Sequence, residues 1–299
     1  MPDWRRAAEA AVAGAGEVRY DEPLARHTTF RIGGPADLFI TANSAEGLVR
    51  AIGFCRENAL DWWLLGRGSN VLISDQGLRG AVIRLGGELA GVAASGSRLV
   101  CGAGAAMDEV ANAAEARGLC GAEFLAGIPG TVGGGLHTNA GAFGRSLSDI
   151  IATIEGIDAA GEPWRAERGA IPTGYRSALV GPRLVALKVE MELSPGRPEP
   201  ASAIRERRWV KHPKEPSAGS FFRNPPNEPA GRIIERCGLK GRQVGGARVS
   251  EKHGNFIVNA GGARCVDVLQ LAQVVKANVE ERTGILLEEE VTLLPGVRR

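Results

Sequence analysis

The sequence predicts an α+β fold, with helices and strands mixed along the chain rather than alternating as βαβ units. Three observations carry this reading: a strictly alternating run at residues 185–193, short apolar runs that break off into glycine turns, and a long helical stripe near the C-terminus. A length of 299 residues suits two or three modest domains.

Residues 1–16 carry Arg5 and Arg6 and then an Ala-rich stretch broken by Glu9. This reads as a helix rather than the apolar region of a signal, so no export is expected. Asn43 and Glu46 have capping-box spacing, and Leu48, Ile52 and Cys55 follow at helical intervals up to Asn58. The apolar run 62–65 ends in Gly66-Arg67-Gly68-Ser69-Asn70, and 81–85 is another such run, which gives strand, glycine turn and strand. Residues 98–101 lead into Gly102-Ala103-Gly104 and a helix over 107–117, stopped by Gly118.

In the alternating run, Val185, Leu187, Val189, Met191 and Leu193 share one face, and Ala186, Lys188, Glu190 and Glu192 the other. The three prolines of residues 194–200 oppose regular structure and mark a domain boundary near residue 197. A charged helix is expected over 201–210, a helix near 229–237 closed by Gly238, and a strand at 256–259. A long helix then presents Val268, Leu271, Ala272, Val275 and Val279 on one face, and a strand over 285–294 closes the chain.

The 36 Lys and Arg against 34 Asp and Glu leave a net charge of +2, which disfavours a nucleic-acid partner. The 5 cysteines are scattered, without a Cys-x-x-Cys pair, as are the 4 histidines. Neither a disulfide framework nor a metal site is legible, and a cytoplasmic protein is expected. Residues 124–144 lack Asp, Glu, Lys and Arg, yet their glycines, Pro129, His137 and Asn139 suit a ligand-facing loop better than a membrane span. No obligate protein partner is evident.

The 42 glycines are about twice the usual share of roughly 7%. Residues 66–70 form a plausible pyrophosphate cradle of converging N–H groups, although alone such a string reads as a tight β-turn. It is not a Rossmann fingerprint, since Val71 stands where the third glycine belongs, and no P-loop lysine exists. The stretch Ile128-Pro129-Gly130-Thr131-Val132-Gly133-Gly134-Gly135, continuing to Asn139-Ala140-Gly141, is denser. So many glycines in an uncharged run predict close approach of backbone to a bulky, polyphosphate-bearing cofactor. His137 reads as packed or hydrogen-bonded rather than as a base.

These two loops, in this order, resemble the FAD-binding half of the UDP-N-acetylenolpyruvoylglucosamine reductase family. The likeness continues through Thr29-Phe30-Arg31-Ile32-Gly33-Gly34-Pro35-Ala36, Gly174-Tyr175-Arg176-Ser177 and Ala218-Gly219-Ser220-Phe221-Phe222-Arg223-Asn224-Pro225. Ala247-Arg248-Val249-Ser250-Glu251-Lys252-His253 and Leu287-Glu288-Glu289-Glu290-Val291 complete it. The resemblance implies a two-subdomain FAD-binding module of the p-cresol methylhydroxylase and vanillyl-alcohol oxidase type, followed by a C-terminal α+β substrate domain. The corresponding pieces are residues 1–86, 87–197 and 198–299. It implies FAD held by Gly66, Arg67, Gly68, Ser69, Asn70, Ile128, Pro129, Gly130, Thr131, Gly133, Gly134, Asn139 and Gly141. NADPH would reduce the flavin, and the enolpyruvyl group of a UDP-sugar would take the hydride in a step of peptidoglycan-precursor synthesis.

By the same resemblance Arg176 and Glu290 flank the substrate carboxylate and Ser220 donates the proton. Strand spacing alone leaves Glu288 and Glu290 equivalent; the motif selects Glu290. Tyr175 and Asn224 resemble substrate contacts, and Arg208, Lys211 and Arg223 belong to a cationic group suited to a pyrophosphate, the other reading being a solvated helix face. With only Tyr20 and Tyr175 present, the chain resembles the shorter branch that lacks a tyrosine capping loop. Arg223 replaces an expected lysine, and Leu136-His137 departs from the usual second loop. The rival readings are an FAD oxidase or dehydrogenase acting on an alcohol or hydroxy acid, and a flavin- or nucleotide-sugar-binding protein without turnover.

Overall fold

A computed structural model describes residues 4–174, 177–181 and 184–295. The chain forms two compact units, Met1–Tyr20, Leu38–Arg67 and Arg79–Arg207 making the first, and Asp21–Asp37, Gly68–Leu78 and Arg208–Arg299 the second. Both units are discontinuous in sequence, whereas the pieces expected from the motifs are continuous.

The first unit holds two apolar cores. In one, the helix Ala45–Glu57 buries Leu48, Ile52 and Cys55, the expected helical stripe, together with Ala51, in a cluster with Leu38, Ile40, Ala81 and Ile83. Its N-cap is Ser44, whose side chain accepts from Gly47 N, and not the expected Asn43. The strands run in the order Gly16–Pro23, Pro35–Ala42, Leu78–Leu85 and Trp62–Leu64. The other core lies on the sheet ordered Pro163–Glu167, Ile151–Asp158, Leu184–Glu192, Arg98–Gly102 and Val92–Ser95, and the helix Met107–Ala116 buries Met107, Val110, Ala111 and Ala114 in it.

The alternating run is the central strand Leu184–Glu192, but its apolar residues do not all face one way. Val185 and Leu187 pack in the first core, whereas Ala186, Val189 and Met191 lie in the second. A bulge explains the switch: Glu155 pairs with Lys188 and the next residue, Gly156, with Ala186, so Leu187 is an extra residue that inverts the alternation. The proline-rich stretch is not wholly irregular either, since Ser194–Pro195 pairs with Leu119–Cys120.

In the second unit, Gln243–Val244, Ala247–Val249 and Ile257–Asn259 form an antiparallel sheet. The helix Cys265–Thr283 buries Val268, Leu271, Ala272, Val275 and Val279, the predicted stripe, and Gly284 caps it at φ 70°. Its N-terminus is satisfied from afar: the Asp75 carboxylate accepts from Cys265 N at 2.8 Å and Val266 N at 3.3 Å. The expected strand over 285–294 is reduced to Thr292–Leu294, parallel to Val71–Ile73, because the partner strand offers only that length. Among the described residues no helix is long and apolar enough to cross a membrane.

Candidate active site

In the first unit the second glycine run contains a one-turn helix, Val132–Leu136, where a loop was expected. Thr131 caps it, its side chain accepting from Gly134 N at 3.2 Å. Gly66 of the first loop lies against this cap: a Cβ there would come within 2.4 Å of Thr131 Oγ1. The two runs predicted to hold one cofactor therefore meet. The glycines serve the chain's own packing more than expected, since a Cβ at Gly133 would approach Ala103 O to 3.0 Å and one at Gly141 would approach Arg145 O to 2.2 Å. Gly134 and His137 are exposed and Ile128 is half-buried. His137 lies among enough neighbouring atoms that desolvation lowers its pKa, which fits a neutral imidazole.

Positive charge gathers at the first loop. Arg84 donates to Gly66 O at 3.2 Å and stands over the Phe39 ring. Burial, followed by Arg67 and Arg19, lowers the Arg84 pKa, and Arg67 is exposed. Below the second loop, Asp108 Oδ1 accepts from Gly127 N at 2.7 Å and Arg205 Nε at 2.8 Å. Desolvation opposes ionisation of Asp108, but the bonds from Arg205 and Gly127 and the charges of Arg205 and Arg67 outweigh it and lower its pKa. An uncharged glycine surface beside clustered guanidinium groups fits a dinucleotide with an aromatic ring and a pyrophosphate, as FAD requires.

Asn139 is buried, with its side chain donating to Ser148 Oγ and Gly174 O and accepting from Ser148 N. Its amide thus pins the residue before Tyr175, and Leu179 N donates to Leu136 O at 2.7 Å on the other side. Tyr175 and Arg176 themselves lie outside the described residues.

The second unit joins the loops that carry Asn70, Ser220 and Glu290. Ser220 follows Gly219, at φ 78°, in a loop bracketed on both sides. Ahead of it, Asn259 N donates to Pro216 O at 2.8 Å. Behind it, the buried Asn255 amide accepts from Phe222 N at 2.9 Å and donates to Phe222 O at 2.8 Å. Glu290 N donates to Phe221 O at 2.8 Å, so the backbones of the serine loop and the acidic motif run side by side. Asn70 closes the group: its Nδ2 donates to Glu290 O at 3.2 Å, and its carbonyl accepts from Thr292 N at 2.9 Å. Glu290 is half-buried, Glu288 is exposed, and Glu289 pairs with Lys276 at 2.9 Å.

The cationic group divides. Arg207 pairs with Glu199 at 2.6 Å and Arg205 with Asp108, as surface or structural ion pairs. Arg208 and Lys211 instead lie near His212, whose pKa is pushed down to about 4 by burial and then by Arg208, His253, Lys252 and Lys211. Arg223 and Asn224 are exposed, with Arg223 N donating to Glu288 O and Asn224 Oδ1 accepting from Ala230 N. Sequence reasoning missed Asn255 and Asp108, whose only signals were an asparagine in a turn and an aspartate at a helix start.

Comparison with known proteins agrees with this geometry. Residues 36–167 match the FAD binding domain model, and residues 211–294 match that of the UDP-N-acetylenolpyruvoylglucosamine reductase C-terminal domain. The chain is 45% identical over 284 residues to UDP-N-acetylenolpyruvoylglucosamine reductase 2 of Symbiobacterium thermophilum, covering 93% of this chain and 92% of that one. It is 37% identical to the reductase of Bacillus subtilis strain 168, over 95% of this chain and 96% of that one. The crystal structure of UDP-N-acetylenolpyruvylglucosamine reductase from Thermus caldophilus superposes with a TM-score of 0.78 at 34% identity, covering 94% of this chain and 99% of that one. With its paired glycine runs and its Ser220 and Glu290 loops joined through backbone, the chain belongs to the UDP-N-acetylenolpyruvoylglucosamine reductase family and is an FAD-dependent oxidoreductase.

Proposed function

We propose that this chain reduces UDP-N-acetylglucosamine enolpyruvate to UDP-N-acetylmuramate at the expense of NADPH, with Ser220 as the proton donor. Bound FAD supplies the hydride, held by the residues of loops 66–70 and 128–141 named above. Hydride addition at the terminal alkene carbon pushes charge onto the substrate carboxylate. Glu290, in a protonated or proton-sharing form, and Arg176 stabilise that charge, the role the motifs give them; preorganised donors of this kind contribute about 10²–10³ in rate apiece. Ser220 Oγ–H then protonates the adjacent carbon. A hydroxyl is a weak acid, and it suffices because the enolate is strongly basic and the donor is held in place.

The observation that carries this reading is the Glu290 N to Phe221 O bond of 2.8 Å, which sets the residue after Ser220 beside Glu290. Arg208, Lys211, Arg223, Asn224 and Tyr175 are assigned to the UDP-sugar, and residues 1–86, 87–197 and 198–299 remain the proposed functional division.

The two half-reactions test it under anaerobic conditions. Ser220→Ala is expected to bleach normally with NADPH but to regain its flavin colour about 10²–10⁴ times more slowly on adding the enolpyruvyl sugar nucleotide. Equal slowing of both half-reactions would refute the acid role. NADPH consumption without the sugar nucleotide would favour an oxidase.

A further inference from the structure

Thr29, which has no part in the chemistry above, touches two loops of the second unit, the stretch from Gly68 and the serine loop. It is half-buried in a turn fixed from several sides. Thr28 Oγ1 donates to Ile32 O at 3.0 Å, Arg31 N donates to Thr28 O at 3.2 Å, and Arg31 takes φ 55°, an unusual conformation for a residue with a Cβ. Phe30 is fully buried, with its carbonyl accepting from Asn259 Nδ2 at 3.2 Å. On the other side the buried pair His27 Nε2 and Glu22 Oε1 stand 2.8 Å apart.

From this platform Thr29 N donates to Gly68 O, in the first glycine loop, at 3.2 Å. Its hydroxyl lies 2.7 Å from Ser217 O and 3.3 Å from Gly68 O. With a single proton to give, it donates mainly to Ser217, the shorter contact. Ser217 N returns a bond to Thr29 O at 3.2 Å. Ser217 leads through Ala218 and Gly219 to Ser220, and Gly219, at φ 78°, gives that stretch freedom that an anchor must remove.

We infer that Thr29 is a positioning residue, its hydroxyl holding Ser217 O in the serine loop while its backbone N–H holds Gly68 O in the glycine loop, so that Ser220 is held at one place for proton transfer. The inference rests on the reading of Ser220 as proton donor. Thr29 itself touches neither reacting atom. Its effect belongs to the step in which Ser220 acts, because a small misplacement of a reacting group costs rate without abolishing binding.

Thr29→Val keeps the shape and removes the donor; Thr29→Ser keeps the donor. Each FAD-loaded variant is compared with the unaltered enzyme and Ser220→Ala in anaerobic stopped flow. Thr29→Val is expected to retain stoichiometric FAD with an unchanged visible spectrum and to bleach with NADPH at the unaltered rate. Its reoxidation by the enolpyruvyl sugar nucleotide should be about 10- to 100-fold slower. The half-saturating substrate concentration should be unchanged and the solvent deuterium isotope effect larger. Thr29→Ser should restore the rate. Normal reoxidation in Thr29→Val beside a slow Ser220→Ala overturns the positioning role while leaving the donor in place. Normal reoxidation in Ser220→Ala sinks the underlying reading instead. FAD loss or equal slowing of both steps in Thr29→Val marks a purely structural residue and also overturns the inference. If Thr29→Val does not fold, Thr29→Ala carries the same comparison.

Discussion

The glycine contact of Gly66 with Thr131 in the first unit and the serine loop of the second are held by opposite means. Around Gly66 and Thr131, backbone fits directly against neighbouring atoms, and the missing Cβ is what permits the fit. Around Ser220, buried or half-buried polar side chains do the holding, with Asn255 bracketing Phe222 and Thr29 reaching Ser217. The first arrangement fails by overpacking, the second by leaving polar groups without partners. The contrast predicts different damage from substitution in each region.

The largest effect on flavin content is expected at Gly66. A Cβ there meets Thr131 Oγ1 at 2.4 Å, and overpacking of this kind costs about 1–3 kcal/mol, equivalent to about 5- to 150-fold in affinity if it falls on cofactor binding. Gly66→Ala should therefore lose FAD on gel filtration while its apo form melts near the unaltered temperature. Adding Thr131→Ala, which removes the clashing oxygen, should return the flavin in part, since Thr131 is itself assigned to the flavin and caps the helix at Gly134. Failure of that second substitution to rescue binding would show that Gly66 acts otherwise than through the Thr131 contact.

Asn255→Leu probes the opposite case. It strands the Phe222 N–H and carbonyl in a buried position, a loss of about 2–5 kcal/mol of stability, to be measured by urea denaturation. What remains folded should keep its FAD and its NADPH-driven bleaching but be slow in reoxidation. Flavin release from Asn255→Leu at temperatures where it is folded would blur the distinction between the two regions.

The smallest effect concerns pH. His212 packs against Phe256, with ring centroids 5.0 Å apart, and burial together with Arg208, His253, Lys252 and Lys211 lowers its pKa from 6.5 to about 4. The unfolded chain then takes up a proton that the folded chain resists. Stability is intact above about pH 6.5 and falls as pH drops towards about 4. His253, also lowered, first by burial and then by Lys240, adds to the slope in the same sense. His212→Phe should flatten part of this dependence in denaturation measured between pH 4 and 6.5; an unchanged slope would remove His212 as its source.

Much of this could be read from local pattern. The stripe Val268, Leu271, Ala272, Val275 and Val279 and the helix from Ala45 stand where periodicity and punctuation put them. The alternation at 185–193 misled about its faces, since a bulge depends on the partner strand and leaves no mark in its own residues. The end strand was overestimated for a related reason: extended, apolar residues form a strand only as far as a neighbour pairs with them.

The residue types alone determined the chemistry available, namely a hydroxyl, carboxylates, guanidinium groups and two glycine-dense loops, because these are properties of side chains and of their absence. The motif then chose Glu290 from three adjacent glutamates. Tertiary structure decided how they are arranged: Glu289 is drawn to Lys276, Glu290 is set beside the serine loop, and Asn70, Thr29 and Asn255 are given loops to hold. Hydrogen bonds between residues as distant in sequence as Thr29 and Ser217 depend on distances of a few tenths of an ångström, and those distances exist only once the chain has folded.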